Sequence, residues 1–300
     1  MEKIKITFLG TGFSVPTRER NHPAILVETG PENILIDCGE GTQRQFRKAG
    51  LNPCKLTKLL ITHWHGDHIL GIPGLLQTLA LSGYNRTLRI YGPKGTRFFL
   101  GKMLEMFIFL GGINYEIHEV EGKFFENENF FLEAAQMVHR RMPANAYSLV
   151  YKDRIRLDKN KLKKLKLPSS PLLKELQKGN DIKINGKTIK AKDVTYEEKG
   201  RKLTIILDTL FNNEAIKLAK NSDLIISEAT YSEEDADKAK ENYHLTVKQA
   251  AKITKESGSK KLMLIHISER YKTKMREFEK EAKKFFKNTS IPNDLDIVEI

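Results

Sequence analysis

The chain has 300 residues, of which 40% are hydrophobic and 30% are charged. This balance is typical of a soluble globular protein, and no apolar run approaches the roughly 20 residues that a membrane-spanning helix needs. The net charge of +13 favours a polyanionic partner, although an acidic small substrate would suit the same charge.

Short apolar runs recur along the chain, and each ends in a polar residue that can take part in chemistry. The runs are continuous and rich in β-branched residues, which is typical of buried strands. In chain order they lead to Asp37, His63, His139, Asp208, Glu228 and His266. Residues at strand ends gather along one edge of a sheet, and two sheets covered by helices would bring such edges together over one cleft.

Helical patterns alternate with these runs. Apolar spacing predicts helices over residues 75–81, 96–110 and 272–287, and the chain ends in a strand-like stretch over 295–300. The sequence shows no repeat at solenoid periods. These elements predict an α/β fold with one core domain over residues 1–300.

A basic segment, residues 153–180, interrupts the strand-rich body. From 152 to 178 the chain carries ten Lys or Arg against three Asp or Glu. Leucines on both sides of Pro168-Ser169-Ser170-Pro171 predict two short helices, so a protruding arm explains the segment better than a core element does. A second basic segment, 252–287, has twelve Lys or Arg against five Asp or Glu. The alternative for both is a solvated face of a Lys-rich protein.

The run His63-Trp64-His65-Gly66-Asp67-His68 places three imidazoles and one carboxylate within six positions. Imidazole nitrogen and carboxylate oxygen are ligands that zinc and similar divalent metals accept. In an extended segment His63 and His65 point the same way, and Asp67 and His68 follow around the turn. One loop would therefore serve two adjacent metals, with a solvated polar loop as the alternative.

A dinuclear site needs three or four ligands for each metal, with the metals about 3.5–4 Å apart. The predicted ligands are His63, His65 and His139 for one metal and Asp67, His68 and His266 for the other. Asp208 is predicted to bridge the two metals, with a turn-forming Asp as the alternative. A bridging water is the predicted nucleophile, and Asp67 holds or accepts its proton.

The remaining histidines and the cysteines have other contexts. His244 follows a helical stretch and is available to complete a site, whereas His22 and His118 are predicted to be ordinary surface or turn residues. Cys38 and Cys54 form no Cys-x-x-Cys pair and no disulfide framework, which favours a reducing, cytoplasmic location. The amino terminus lacks the layout of a signal peptide.

These residues carry a resemblance that runs nearly end to end. The metal motif, with Gly71-Ile72-Pro73-Gly74-Leu75 behind it, marks a superfamily. The block Phe8-Leu9-Gly10-Thr11-Gly12 is also part of the match. The blocks that single out one family are Asp37-Cys38-Gly39-Glu40-Gly41-Thr42-Gln43-Arg44-Gln45, Glu228-Ala229-Thr230 and His244-Leu245-Thr246. The chain resembles ribonuclease Z, the tRNA 3′-processing endonuclease family of the metallo-β-lactamase superfamily.

The resemblance implies a four-layer αβ/βα metallo-β-lactamase sandwich that binds two Zn²⁺ per subunit and acts as a homodimer. It implies cleavage of precursor tRNA just after the discriminator nucleotide, leaving a 3′-hydroxyl on the tRNA and a 5′-phosphate on the trailer. Glu228 would orient His244, which would protonate the leaving 3′-oxygen. The basic segment 153–180 matches an arm that grips tRNA, and its candidate contacts are Lys159, Lys161, Lys163, Lys164 and Lys166.

Other functions stay open on the sequence. A phosphodiesterase or thioesterase for small esters would use the same fold, but a small ester needs no basic arm. A non-catalytic RNA-binding module would use the arm, but it need not keep every metal ligand. A redox di-iron site is least favoured, because such relatives usually carry Glu in place of His65.

Overall fold

The structure, a computed structural model, describes residues 4–109, 112–165, 167, 170–184 and 186–300. Lys166, one of the predicted arm contacts, lies outside the described residues, as do Leu110, Pro168 and Ser169. The strands are β1 (Lys5–Gly10), β2 (Ala24–Thr29), β3 (Glu32–Ile36), β4 (Lys58–Leu60), β5 (Thr87–Gly92), β6 (Asn114–Glu119), β7 (Gly122–Glu126), β8 (Phe130–His139), β9 (Met142–Tyr151), β10 (Arg154–Leu157), β11 (Ile182–Ile184), β12 (Lys187–Ile189), β13 (Thr195–Glu198), β14 (Lys202–Ile206), β15 (Leu224–Glu228), β16 (Leu262–Ile265), β17 (Thr289–Ser290) and β18 (Ile297–Glu299).

The helices are α1 (Thr42–Lys48), α2 (Gly66–Ile69), α3 (Ile72–Leu81), α4 (Thr96–Glu105), α5 (Lys159–Lys164), α6 (Leu173–Gln177), α7 (Ala191–Val194), α8 (Asn213–Leu218), α9 (Ala236–Asn242), α10 (Val247–Glu256) and α11 (Met275–Phe285). Short 3₁₀ turns cover Pro53–Lys55, Glu233–Asp235 and Glu269–Lys274.

Two seven-stranded sheets form the body of the protein. The first has the strand order β18-β1-β2-β3-β4-β5-β6, and the second has the order β17-β16-β15-β14-β9-β8-β7. Each sheet contains a parallel half, β3 to β6 in the first and β14 to β17 in the second. A buried apolar layer that includes Phe8, Ile36, Tyr147 and Ile226 fills the space between the sheets.

Helices cover the outer face of each sheet. Helices α1, α3 and α4 pack on the first sheet through a core that includes Phe46 and Leu75. Helices α8, α10 and α11 pack on the second sheet through a core that includes Ile253 and Phe278. The order helix, sheet, sheet, helix is the predicted αβ/βα sandwich, so the predicted fold class is confirmed.

All six apolar runs lie in strands, as predicted. Strand β15 illustrates the reason, because it is buried along its whole length between β14 and β16. A strand with both faces covered has no solvent side, so its sequence reads as a continuous apolar run and not as an alternating one. The polar residue after each run therefore marks the strand's end.

All three predicted helices have different bounds in the structure. Helix α3 begins at Ile72, before the predicted start at 75. Helix α4 ends at Glu105, short of the predicted end at 110. Phe107, Ile108 and Phe109 follow it, and aromatic and β-branched side chains lose rotamer freedom in a helix. The predicted helix over 272–287 begins as a 3₁₀ turn and becomes α-helical only at Met275.

The basic segment is an insertion between β9 and β14, which are neighbours in the second sheet. Helices α5 and α6 are the two predicted short helices. Leu162, Leu176, Ile182 and Val194 form a small apolar core within the insertion. The leucines of the basic segment are buried against residues that follow position 180. The inserted unit therefore continues through β11, β12 and α7 to β13, which pairs with β10.

None of the helices in the described part of the chain combines the length and the apolar character that crossing a bilayer requires. Both cysteines are free thiols. Burial raises the pKa of the Cys38 thiol to about 12, so this thiol stays protonated at neutral pH.

Candidate metal centre

The candidate site lies where strand ends of the two sheets meet. In the first sheet β3 and β4 run parallel, so Asp37 and His63 leave at the same edge. In the second sheet β14, β15 and β16 run parallel, which brings Asp208, Glu228 and His266 to one edge. Strand polarity therefore collects these polar side chains in one place.

The rest of the metal motif lies on α2, a single helical turn. His65 precedes this turn in an extended conformation, and Asp67 and His68 lie in its first turn. The backbone N–H of His68 donates to the carbonyl of His65 at 3.1 Å. The chain thus turns between the His63-His65 pair and the Asp67-His68 pair, as predicted.

A first group of nitrogen donors contains three imidazoles. His65 Nδ1 lies 3.0 Å from His63 Nε2 and 3.0 Å from His139 Nε2. Asp208 Oδ2 approaches the same group at 3.5 Å from His63 Nε2 and 3.7 Å from His139 Nε2. The four side chains converge on one point with four possible ligand atoms.

A second group contains two imidazoles and a carboxylate. His68 Nε2 lies 3.2 Å from His266 Nε2, and Asp67 Oδ2 lies 3.4 Å from the former and 3.3 Å from the latter. Asp208 Oδ1 is 3.5 Å from His68 Nε2. Asp208 thus points one oxygen at each group.

The donor geometry fits divalent metals. A tetrahedral zinc with ligands at about 2.0–2.1 Å holds its ligand atoms roughly 3.3 Å apart, which is close to the separations in both groups. Asp208 Oδ1 is buried and has no hydrogen-bond donor. A buried carboxylate oxygen that faces only imidazoles is costly unless a cation satisfies it.

A third combination of possible ligands overlaps the first two. Asp208, His244 and His266 also offer atoms within 4.8 Å of one another. His244 Nδ1, however, faces Glu228 Oε1 at 3.1 Å, and Asp208 and His266 already belong to the other groups. We therefore treat His244 as a neighbour of the candidate metal ligands.

Burial sets the protonation of the first group. Burial lowers the pKa values of His63, His65 and His139, and neighbouring imidazoles lower them further. These rings are therefore neutral near pH 7, and each has a lone pair available for a metal. A metal binds imidazole only in this neutral form.

Carboxylates set the protonation of the second group. Burial alone would lower the pKa of His68, but Asp67, Asp208 and Asp37 raise it well above its ordinary value. Burial alone would raise the pKa of Asp67, but His68 and His266 hold it far below its ordinary value. In the metal-free protein His68 thus carries a proton, which a metal must displace.

Asp37 supports the ligands from behind. Its Oδ2 lies 2.6 Å from His68 Nδ1, and its carboxylate accepts hydrogen bonds from the N–H and the hydroxyl of Thr62, each at 2.7 Å. His139 Nδ1 is likewise 2.9 Å from the carbonyl of Tyr243. Such contacts orient a ligating ring and fix its tautomer. The sequence placed Asp37 at a strand end but assigned it no role.

Glu228 and His244 form a buried pair beside the donor groups. Glu228 accepts hydrogen bonds from the backbone N–H of Thr209 at 2.9 Å and the hydroxyl of Thr230 at 2.6 Å. Burial alone would lower the pKa of His244, but the carboxylates of Glu228 and Asp208 raise it to about 9. His244 therefore carries a proton at neutral pH.

A cavity of about 500 Å³ opens over the site. Asp67, Asp208 and His244 line it together with Arg140. Among the described residues that line this cavity, Arg140 is the sole Arg or Lys, and its Nη2 donates to Asn242 Oδ1 at 3.2 Å. The sequence analysis assigned Arg140 no role, although this residue directly follows the strand-end residue His139.

His22 lies in a bend, but the prediction that it is a surface residue is wrong. Its side chain is buried, lines the same cavity and places Nε2 3.1 Å from the carbonyl of Ser14. His118 is exposed, as predicted, and stacks on Tyr91 with ring centroids 5.1 Å apart. His22 differs because the chain from Ser14 folds back over it, a contact that local sequence does not reveal.

Divalent metal should stabilise the metal-free protein. Ligand binding at about 100 times Kd contributes about 2.7 kcal/mol, so we expect Zn²⁺ to raise the Tm of chelator-treated protein by about 5 °C or more. Asp208→Asn, which weakens both donor groups, should reduce this increase, whereas exposed Asp237→Ala should not. A Tm that does not respond to Zn²⁺, Mn²⁺ or Co²⁺ would contradict the assignment.

Comparisons with known proteins agree with this geometry. A family model described as anti-Pycsar protein Apyc1 matches residues 4–100, which is less than half of the chain. Ribonuclease Z of Nanoarchaeum equitans is 40% identical over 294 residues, covering 98% of this chain and 92% of that protein. Ribonuclease Z of Methanosarcina acetivorans is 38% identical, covering 99% and 98%.

Solved structures give the same picture of the fold. The human tRNase Z, short form, aligns with a TM-score of 0.70 at 28% identity and covers 98% of each chain. A metallo-β-lactamase fold protein from Bacillus subtilis aligns over 100% of each chain with a TM-score of 0.71 at 18% identity, which shows the fold alone. The two ribonuclease Z relatives are 40% and 38% identical to this chain along nearly its whole length, and the motif residues lie together around one cavity. The protein therefore belongs to the ribonuclease Z family.

Proposed function

We propose that this protein is a metal-dependent endoribonuclease that removes the 3′ trailer of precursor tRNA. It cuts just after the discriminator nucleotide and leaves a 3′-hydroxyl on the tRNA and a 5′-phosphate on the trailer. Two donor groups that share Asp208 under one cavity carry the proposal, in a chain of the ribonuclease Z family. The catalytic unit is a single domain, residues 1–300, acting in the cytoplasm.

A small-ester hydrolase is the alternative function, since the same donor groups would also suit a small phosphodiester. Two observations favour tRNA. The relatives with full-length similarity at 36–40% identity are named ribonuclease Z. The inserted unit also exposes a run of lysines on α5, and a small ester would not need such a surface.

The test is incubation with a tRNA precursor that carries a 3′ trailer, followed by mapping of both new ends. We expect one cut after the discriminator nucleotide, with a hydroxyl on the tRNA and a phosphate on the trailer. Cleavage only of small esters, or cuts scattered along the RNA, would contradict the proposal.

The proposed cofactor is two Zn²⁺ per subunit. The proposed ligands are His63, His65 and His139 for one ion and Asp67, His68 and His266 for the other, with Asp208 shared. When bound, such ions would supply a water of lowered pKa, about 7, and would neutralise the negative charge that builds up on the phosphoryl oxygens. The remaining steps belong to the chain's own residues.

Asp67 orients the attacking water, and the proton that this water loses is released to solvent in the open cavity. Its Oδ2 lies 3.3 Å from His266 Nε2 and accepts a hydrogen bond from the backbone N–H of Ser14 at 3.1 Å. Because its pKa is far below the ordinary value, the carboxylate is anionic and accepts a hydrogen bond from the water. This contact orients the water oxygen toward phosphorus as the new oxygen–phosphorus bond forms.

His244 acts on the leaving group. When the bond between phosphorus and the 3′-oxygen breaks, that oxygen gains negative charge and needs a proton. His244 lines the cavity and is protonated at neutral pH, so it donates the proton. Glu228, 3.1 Å from His244 Nδ1, fixes the ring and stabilises its charged form.

Arg140 is proposed to pair with a substrate phosphate. Arg140→Ala should raise KM for bis(p-nitrophenyl) phosphate about tenfold, because a hydrogen bond to a charged group contributes about 1.5–3 kcal/mol and an exposed one somewhat less. The matched control is Arg141→Ala, which removes the next arginine in the chain, outside the cavity lining. Equal effects of the two substitutions on KM would refute the role.

The arm is proposed to bind tRNA through its lysines. Lys159, Lys161, Lys163 and Lys164 are exposed on α5, whereas Leu162 of the same helix is buried in the arm's core. Substitution of these lysines therefore tests the contact without opening that core, which a deletion of the helices would do. Lys166, outside the described residues, belongs to the same proposed contact.

Replacing the four α5 lysines with alanine should raise KM for precursor tRNA about tenfold and flatten its dependence on salt. Each phosphate contact that is lost also removes the release of counterions from that phosphate, and this release makes tRNA binding depend on salt. Hydrolysis of bis(p-nitrophenyl) phosphate should be unchanged. The control replaces four exposed lysines outside both basic segments, Lys94, Lys102, Lys217 and Lys220. A similar rise in KM for the control variant would mean that the total positive charge of the protein, and not the arm, determines tRNA binding.

The proposed assembly is a homodimer. Exposed apolar side chains lie on and just after α4, where Phe98, Met106 and Ile108 are 63%, 79% and 97% exposed. Such a patch marks a surface that contacts another protein. Light scattering of the wild type and of Ile108→Glu tests this interface, and we expect the substitution to weaken the dimer. If the dimer is unchanged in Ile108→Glu, the interface lies elsewhere.

A further inference from the structure

Asp294 joins three parts of the chain that are remote in sequence. Its Oδ1 accepts hydrogen bonds from the backbone N–H of Thr11 at 2.9 Å and from the Thr11 hydroxyl at 2.8 Å. Its Oδ2 accepts hydrogen bonds from the backbone N–H of Asn21 at 2.7 Å and from Gln45 Nε2 at 3.0 Å. Four donors thus share one carboxylate, and two of them are backbone groups at the ends of a single loop.

Residues 11–21 form this loop, which we name the site loop. It contains no helix or strand, so contacts at its base determine its shape. Gly12 N–H donates to the carbonyl of Asn21 at 2.7 Å. Arg20 Nη1 donates to the Thr11 hydroxyl at 2.5 Å and to the carbonyl of Pro292 at 3.0 Å. Asp294 is the acceptor that both ends of the loop share.

The middle of the site loop touches the metal centre. Ser14 N–H donates to Asp67 Oδ2 at 3.1 Å. The Phe13 ring packs edge-on against His244 and His266, with centroid distances of 5.5 and 5.0 Å. Phe13 also lines both the metal cavity and a second cavity of about 490 Å³. The loop is therefore a wall of the site and a hydrogen-bond donor to Asp67.

We propose that Asp294 is a positioning residue for phosphodiester cleavage, because it holds the site loop in the conformation that places Ser14 on Asp67 and Phe13 against His244. Asp294 itself contacts neither the proposed metal ligands nor the cavity. It acts through the loop, which has no regular structure to hold it in place. This role rests on the proposed function, since cleavage is what the loop supports.

The decisive variant is Asp294→Asn. It keeps the size of the side chain but replaces one oxygen with an amide group, so two of the four donors would face another donor. We expect hydrogen exchange, measured by mass spectrometry, to rise at least tenfold in peptides that cover 11–21 and to stay unchanged in β15 and β16. We also expect kcat for precursor tRNA and for bis(p-nitrophenyl) phosphate to fall about tenfold to a hundredfold, since small displacements of catalytic groups are costly. The Kd for tRNA, measured without metal, should change less than twofold.

Two further variants complete the test. Asp296→Asn removes a nearby exposed carboxylate that accepts a hydrogen bond from Asn293 N–H, and it should leave both exchange and kcat unchanged. Thr11→Val removes one hydroxyl donor and should change exchange and kcat in the same direction as Asp294→Asn, by a smaller factor.

Two results would overturn the proposal. One is that, in Asp294→Asn, hydrogen exchange in residues 11–21 and kcat for the small ester both stay at wild-type values. The other is exchange that rises throughout the protein, with a loss of kcat equal to the unfolded fraction, which would make Asp294 merely structural. Failure of the wild type to cut precursor tRNA would instead refute the proposed function, and the exchange and small-ester results would still test the loop.

Discussion

Replacing Asp67 with alanine should stop cleavage of a trailer-bearing tRNA, with kcat falling by about 10³-fold or more. Asp67 Oδ2 lies within 3.4 Å of His68 Nε2 and 3.3 Å of His266 Nε2, so it completes the second donor group. It is also the proposed acceptor of a hydrogen bond from the attacking water. The substitution therefore removes a proposed metal ligand and a proposed orienting group together.

Single-turnover cleavage and metal content, measured on the same preparation, check this result. Asp67→Asn separates the two roles, because it keeps an oxygen ligand but loses the negative charge. Exposed Asp237→Ala is the control for loss of a carboxylate elsewhere. Full-rate cleavage by metal-free Asp67→Ala protein would end the proposed mechanism.

Replacing His244 with alanine should lower kcat for precursor tRNA by about 10²–10⁴-fold while metal content stays at the wild-type level. The reason is the poor leaving group, since a 3′-alkoxide needs a proton as it departs. The ring of His244 is held by Glu228 at 3.1 Å, and we do not assign it to a metal. Glu228→Gln should lower kcat in the same direction by a smaller factor.

The leaving group supplies the sharpest test of His244. Bis(p-nitrophenyl) phosphate releases p-nitrophenolate, which is stable without a proton, so His244→Ala should hydrolyse this ester within a few-fold of the wild type. Exposed His118→Ala should affect neither substrate. If His244→Ala loses both activities equally, the residue supports the metal centre and is not the proton donor.

The pH dependence has a definite sign. Burial alone would lower the pKa of His244, but Glu228 and Asp208 raise it to about 9, above the ordinary value of 6.5. The proposed proton donor is therefore protonated at neutral pH and loses its proton as pH rises through that pKa. Wild-type cleavage of tRNA should fall at alkaline pH, and this fall should be absent from His244→Ala.

The predicted helices whose bounds differ in the structure show why the ends of an element are hard to predict from sequence. Apolar spacing located α4 and α11, but Phe107, Ile108 and Phe109 follow α4 without joining it. The arm shows the same limit, because the burial of Leu162 and Leu176 depends on Ile182 and Val194, which lie beyond the basic run. The apolar periodicity of a segment indicates which of its faces is buried, whereas the packing partner of that face determines where the helix or strand ends.

The sequence by itself determined the fold class, the strands that end in candidate site residues and the types of donor side chain, because apolar periodicity and ligand chemistry are local properties. The strand-end rule identified Asp208, His139 and His266 as candidates for this reason. Their separations, the two-sided approach of Asp208 and the raised pKa of His68 arise only when both sheets meet. Asp294 is the extreme case, since it hydrogen-bonds to Thr11 across 283 positions. No local pattern predicts that contact, because only the packing of the last strand beside the first brings these residues together.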